Sequence, residues 1–149
     1  MRDQNLTGPS PAGGTPALSH IRLDADSRYR LYGMRCGACG CVVEGERLAC
    51  PACANRENLE VLPFASTGRV HVHTVVHRSY PGITTPFVAV IVDLDHGGTV
   101  RGTLVDIDPR GVIPKDFRVR MVFRDSGQRD PRGQPLLCYC FVPEEGSAP

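Results

Sequence analysis

The stretch Arg35-Cys-Gly-Ala-Cys-Gly-Cys-Val-Val-Glu-Gly-Glu-Arg-Leu-Ala-Cys-Pro-Ala-Cys53 decides how this chain is read. It packs five of the seven cysteines into nineteen positions. Cys36 and Cys39 form one C-x2-C pair, Cys50 and Cys53 a second, and ten residues separate the pairs. That spacing lets a short excursion of chain bring four thiolates to tetrahedral reach, which describes a closed structural Zn²⁺ site. A rubredoxin-like iron centre and redox or disulfide chemistry use the same residues and stay open at this point. Gly40 follows the first pair and suits a tight turn of backbone around sulfur. Pro51 stiffens the second pair, and Glu44-Gly45 midway between them reads as a turn.

Composition sets the setting for those cysteines. The chain has 149 residues, enough for one domain with a small module, and 41% of them are hydrophobic. Seventeen Lys and Arg balance sixteen Asp and Glu, a net charge of +1. That is a poor footprint for a general nucleic-acid binder, whose affinity comes largely from neutralising phosphates. No apolar run approaches the ~20 residues that span a bilayer, and the first residues lack the pattern of a signal or transit peptide. A cytoplasmic protein without a membrane partner is expected. In that compartment thiols stay reduced, which favours metal over disulfides.

Working outward, residues 1–17 are rich in Gly, Pro, Ser and Thr and are expected to form a flexible tail. Residues 18–56 hold a lead-in, either a short helix or extended chain, and the ribbon. Residues 57–149 carry strand signals with no helical period. LEVLPF is short and apolar. In GRVHVHTVVHR, Val70, Val72, Thr74 and Val76 alternate with Arg69, His71, His73 and His77. PFVAVIVDLD is almost continuously apolar and needs cover on both faces. His96-Gly97-Gly98 reads as a hairpin turn into the strand TVRGTLVDI. FRVRMVF and LLCYCFV supply two further strands. Five antiparallel strands without a covering helix leave exposed edges, and closure into a small OB-type barrel removes them. The fold class is therefore mainly β: an N-terminal four-Cys zinc ribbon followed by a five-stranded OB-fold barrel.

Other reactive residues have plainer readings. Cys41 has no activating neighbour and reads as a half-buried residue on the ribbon. Cys138 and Cys140 share one strand face and behave as small hydrophobes. His71, His73 and His77 are incomplete as a ligand set. Asp93, Asp95, Asp106 and Asp108 lie near strand ends, where carboxylates shape turns. Arg69, Arg101, Arg118, Arg120 and Arg124 project from strands, and if clustered would suit CoA phosphates or an acidic protein surface. No catalytic constellation emerges.

The order of parts, C-x2-C–x10–C-x2-C followed by GRVHVHTVVHR, PFVAVIVDLD and GTLVDIDP, resembles the zinc-ribbon plus OB-fold proteins associated with acyl-CoA enzymes. This family was first known as a domain of unknown function. The resemblance covers roughly residues 29–143. It implies a non-catalytic accessory subunit that docks on a thiolase-like catalytic subunit, or on a related aldolase or hydratase. One structural Zn²⁺ is implied on Cys36, Cys39, Cys50 and Cys53, with the CoA thioester held mainly by the partner. The stand-alone architecture also resembles the zinc-finger small subunit of benzoylsuccinyl-CoA thiolase, of anaerobic toluene degradation. Two other classes compete: a nucleic-acid-binding ribbon–OB protein and a rubredoxin-like electron carrier.

Overall fold

A computed structural model describes residues 14–146, and among them there are ten strands and no helix. Five strands form the barrel: β6 (Thr67–Val76), β7 (Phe87–Leu94), β8 (Thr99–Leu104), β9 (Arg118–Arg129) and β10 (Pro135–Pro143). β6 pairs with β7, β7 with β8, β9 with β10 and β9 with β6, all antiparallel. Closure comes from β8 lying parallel to β10, with Leu104 opposite Phe141 and the Val105 N–H donating to the Phe141 carbonyl at 2.8 Å. The expectation of five antiparallel strands is corrected at this one seam. Parallel neighbours require a long connection, and the loop and β9 between β8 and β10 supply it.

Alternation accounts for the core. Val88, Val90, Val92 and Leu94 point inward along β7, where they meet Val100, Leu104, Val119, Met121, Leu137 and Phe141. The loop from Val105 to Phe117 contains no helix, and its Ile107, Ile113 and Phe117 fold down onto this core. The β7–β8 turn is where the glycines were expected to place it. His96, Gly97 and Gly98 all have positive φ, at 68°, 104° and 95°.

One inference from period two is corrected. The register of β6 against β7 shifts between Val70 and Val72, so a β-bulge inserts one residue and reverses the alternation beyond it. Val70 faces the core, whereas Val72 opposite Ile91 is 49% exposed. Val72, Thr74 and Val76 therefore share the outer face with Ile91, Ala89 and Phe87. His71, His73 and His77 do not form one row: His71 sits in the bulge, His73 opposes Val90, and His77 lies past the strand end.

A second sheet surrounds the cysteine pairs. Its central strand β3 (Tyr29–Cys36) pairs with β2 (Ile21–Leu23), β4 (Val42–Glu44) and β5 (Leu59–Pro63). The lead-in is thus extended, not helical, and LEVLP completes the ribbon's sheet. Residues 1–13 of the predicted tail lie outside the described residues. Thr15–Pro16 forms β1, parallel to β10, with Thr15 opposite Leu136.

Ion pairs brace the barrel's turn end. Arg118 donates from two nitrogens to the two carboxylate oxygens of Asp95, each at 2.9 Å, and from Nε to Glu144 at 2.7 Å. Arg118, and then the Thr67 hydroxyl, hold the Asp95 carboxyl well below the usual carboxylate range. A depressed folded pKa stabilises above the unfolded value of ~3.9, and that stability is lost as pH falls toward the folded one. The gap in urea midpoint between wild type and Asp95→Asn is expected to hold steady from about pH 7 to pH 5 and to shrink below about pH 4. A gap that widens in acid would contradict this assignment.

Candidate metal centre and its junction with the barrel

The two cysteine pairs sit on knuckles of matching construction. In the first, the Cys36 N–H donates to the Cys41 carbonyl at 2.9 Å and the Gly40 N–H to the Cys36 carbonyl at 2.8 Å. In the second, the Cys50 N–H donates to the Asn55 carbonyl at 2.7 Å and the Ala54 N–H to the Cys50 carbonyl at 2.8 Å. The fourth residue after the leading cysteine takes positive φ in both, 74° at Gly40 and 60° at Ala54. Counting from Cys50 would have singled out Ala54; only the glycine drew attention in the sequence. The knuckles are cross-linked by the Gly37 N–H donating to the Asn58 carbonyl at 2.8 Å. Gly45, also at positive φ, ends β4 and donates to the Tyr32 carbonyl, and the chain returns to Cys50 without forming a strand.

This construction brings all four sulfurs within 4.8 Å of one another. Cys36 Sγ lies 3.7 Å from Cys53 Sγ, and Cys39 Sγ 3.5 Å from Cys50 Sγ. A tetrahedron with ~2.3 Å metal–sulfur bonds has edges of about 3.8 Å, so the donor set fits a tetrahedral thiolate-loving ion without rearrangement. Backbone amides favour the thiolate form. The N–H of Cys53, with that of Ala52 behind it, holds the Cys50 thiol down at about 6. The amides of Cys39 and Ala38 lower Cys36 in the same way. All four protein positions are filled, which leaves no open place for a reacting water.

Ala54 carries a conformational cost that Gly40 avoids, since an L-residue in the left-handed region is crowded. Ala54→Gly is expected to stabilise the metal-loaded ribbon by about 0.5–1 kcal/mol, net of the freer unfolded chain that glycine introduces. Gly40→Ala should cost a similar amount, because nothing stands within 4 Å of the added Cβ. Rates of metal loss to a chelator would measure both, and a slower loss from Gly40→Ala would refute the equivalence of the knuckles.

The remaining candidates are placed as follows. Cys41 is half-buried, and its thiol is raised by burial and then by the adjacent Cys50. Cys140 is fully buried and burial pushes it up to about 12; burial also raises Cys138. The four aspartates do not pair. Asp93 accepts from Thr99 and lies 2.7 Å from His71 Nδ1, Asp95 binds Arg118, Asp106 binds Arg124, and Asp108 accepts the Arg110 N–H. Of the five arginines, Arg69 opposes Arg118 across β6 and β9, Arg120 opposes Thr67, and Arg101 on β8 opposes Ile91. Arg118 and Arg124 are held in ion pairs.

Sequence reasoning missed the residues that weld ribbon to barrel. Phe64 follows β5 and is 4% exposed. A Cβ on Gly33 in β3 would overlap its ring, and one on Gly98 in the β7–β8 turn would come within 2.9 Å of it. The two glycines are therefore the slots that admit the ring. Beside it, the Tyr139 hydroxyl donates to the Arg101 carbonyl at 2.6 Å and stands 3.1 Å from Glu44 Oε1, which lies 2.9 Å from His20 Nε2. No pattern in the sequence links Glu44 to Tyr139, 95 positions away.

No helix among the described residues is long and apolar enough to cross a membrane. Residues 63–124 match the model of the ChsH2 C-terminal OB-fold domain. A DUF35 domain-containing scaffold protein of Methanothermobacter thermautotrophicus is 37% identical over 119 residues, 78% of this chain and 89% of the relative. A protein of the same description from Methanocaldococcus jannaschii is 32% identical over 120 residues, 79% of this chain and 84% of the relative. The solved structure of an Ltp2-ChsH2(DUF35) aldolase matches with a TM-score of 0.62 and 26% identity, over 86% of this chain and 98% of that one. The chain belongs to the DUF35 domain-containing family of four-cysteine ribbons joined to an OB-fold.

Proposed function

We propose that this protein is a non-catalytic accessory subunit that braces a catalytic partner acting on CoA thioesters. The observation that carries this reading is the closed thiolate site fixed to the barrel by Phe64 and the Glu44–Tyr139 contact. A metal with four protein ligands supplies rigidity, not chemistry. Zinc is the ion we assign to Cys36, Cys39, Cys50 and Cys53, from the all-sulfur donor set and its dimensions. The scaffold description of the relatives and the aldolase of the matched structure support the same role. They favour a partner that makes or breaks a carbon–carbon bond beside a thioester. An aldolase fits, and so does a thiolase, including one acting on benzoylsuccinyl-CoA. A nucleic-acid-binding role finds less support, because Phe87 is the one aromatic on the outer face of β6 to β8, whereas such platforms stack successive bases on several.

The mechanism is positional. A rigid body seated against the partner's active-site loops holds the acyl-CoA and the reacting groups in register, and displacement by ~1 Å can cost ~100-fold in rate. Reconstitution tests it: the catalytic subunit is assayed for CoA-thioester cleavage with and without this chain. Activity is expected only, or at least ~100-fold more strongly, with both. Full activity from the partner alone would remove the reading, as would turnover by this chain alone.

A further inference from the structure

The outer face of β6, β7 and β8 carries a groove of about 210 Å³ with an apolar floor of Val72, Ala89 and Ile91. The bulge at Val70 is what places Val72 there, 49% exposed, since an unbroken strand would turn it inward. Arg101 flanks the floor directly opposite Ile91 on β8. Arg69 and His71 stand further along the same face, where Arg69 opposes Asp93. Asp93 is the single acid on this face of the three strands, and it is already engaged by Thr99 and His71. Neither Arg69 nor Arg101 forms an ion pair among the described residues, whereas Arg118 and Arg124 do.

We propose that this groove seats the catalytic partner through a segment that presents an aliphatic or aromatic side chain flanked by carboxylates. The inference rests on the accessory-subunit reading and adds which surface meets the partner and what the partner brings. Shape selects a protein. The groove is open along three strands, while sites for small molecules bury most of their ligand. An exposed apolar patch with a charged rim is the usual form of a protein interface. Charge selects an acidic segment, because the rim offers unpaired guanidinium groups with a single, occupied carboxylate among them. A second copy of this chain is disfavoured on the same ground, as face-to-face docking sets Arg69 and Arg101 against their own kind.

The experiment uses the full chain and the catalytic subunit reconstituted above, with affinity read by interferometry. Val72→Asp and Ile91→Asp are each expected to weaken assembly at least ~30-fold, the scale of central interface anchors. Arg101→Glu should weaken it ~10-fold and flatten its salt dependence. Thermal unfolding checks that the variants remain folded. Leu48→Asp, on a side chain 94% exposed near the second knuckle, should bind as wild type. Loss with Leu48→Asp but not with Val72→Asp or Ile91→Asp would move the interface to the ribbon and overturn this inference while leaving the accessory reading intact. No assembly with the wild-type chain would overturn both. NMR shifts at Val72 and Ile91 on adding free CoA alone would assign the rim to phosphates and also overturn it.

Discussion

Cys50→Ser is expected to strip the chain of its metal and melt the ribbon while the barrel remains. Cys50 is buried, its thiol is held low by two amides, and its sulfur lies 3.5 Å from Cys39 Sγ. A serine hydroxyl keeps the size and loses the thiolate that a soft site requires. Structural zinc contributes apparent energies of ~10–16 kcal/mol in finger peptides, so losing one of four ligands removes most of what orders this segment. Metal analysis should fall from one equivalent per chain to near zero after exposure to a mild chelator. Hydrogen exchange should rise across residues 36 to 58, where the backbone bonds are those of the knuckles. Cys41→Ser is the contrasting control, with metal retained because Cys41 stands outside the four-sulfur group. Undiminished metal in Cys50→Ser, or equal loss in Cys41→Ser, would refute the assignment.

Phe64→Ala is expected to destabilise the chain by about 3–5 kcal/mol, the usual range for truncating a buried phenylalanine. Its second effect is more informative. The ring occupies the space left by Gly33 on the ribbon and Gly98 on the barrel, so its loss empties both slots at once. What remains across the junction is the Glu44–Tyr139 contact at 3.1 Å, the packing of Val42 near Gly97, the Tyr29–Phe123 ring pair at 6.0 Å, and Ile21 and Leu31 in the shared buried cluster. A hydrogen bond of that kind contributes only ~1 kcal/mol net. Urea unfolding of the metal-loaded protein should change from one transition to two, the barrel melting before the metal-clamped ribbon. A single transition at a lower midpoint would mean that Ile21, Leu31 and the Tyr29–Phe123 pair hold the junction without the Phe64 ring.

The legible parts were those in which residue identity alone decides the outcome. Four cysteines in two C-x2-C pairs read as one tetrahedral donor set, and the structure brings their sulfurs together. The inward row Val88, Val90, Val92 and Leu94 follows from alternation, and the β7–β8 turn from its glycines. The illegible parts depend on partners distant in the chain. Period two says nothing about where a residue is inserted, so alternation puts Val70 and Val72 on one face, whereas the bulge between them sends Val72 outward. Nor does a strand signal name its neighbour: LEVLP reads as barrel and pairs with β3. Glu44 and Tyr139 look like a loop acid and a strand aromatic until the fold sets them 3.1 Å apart.

The parallel seam has a consequence for how the chain is made. β10 is the last strand among the described residues, yet β1, β8 and β9 all hydrogen-bond to it. During synthesis the ribbon, complete by Pro63, emerges roughly 80 residues ahead of the end of β10. At ~5–20 residues per second that is a lead of about 4–16 s. The cysteines can capture their ion and set within this interval, whereas β6, β7 and β8 must wait on the ribosome as an open meander. The nascent chain thus spends its waiting time with a finished head and an unsealed body, and both the edge of β8 and the N-terminal strand stay bare until the final strand arrives. A nonsense codon between Phe64 and Pro135 would leave the barrel permanently unsealed behind an intact ribbon, a by-product whose cysteines could still take up metal and whose open edges invite edge-to-edge aggregation.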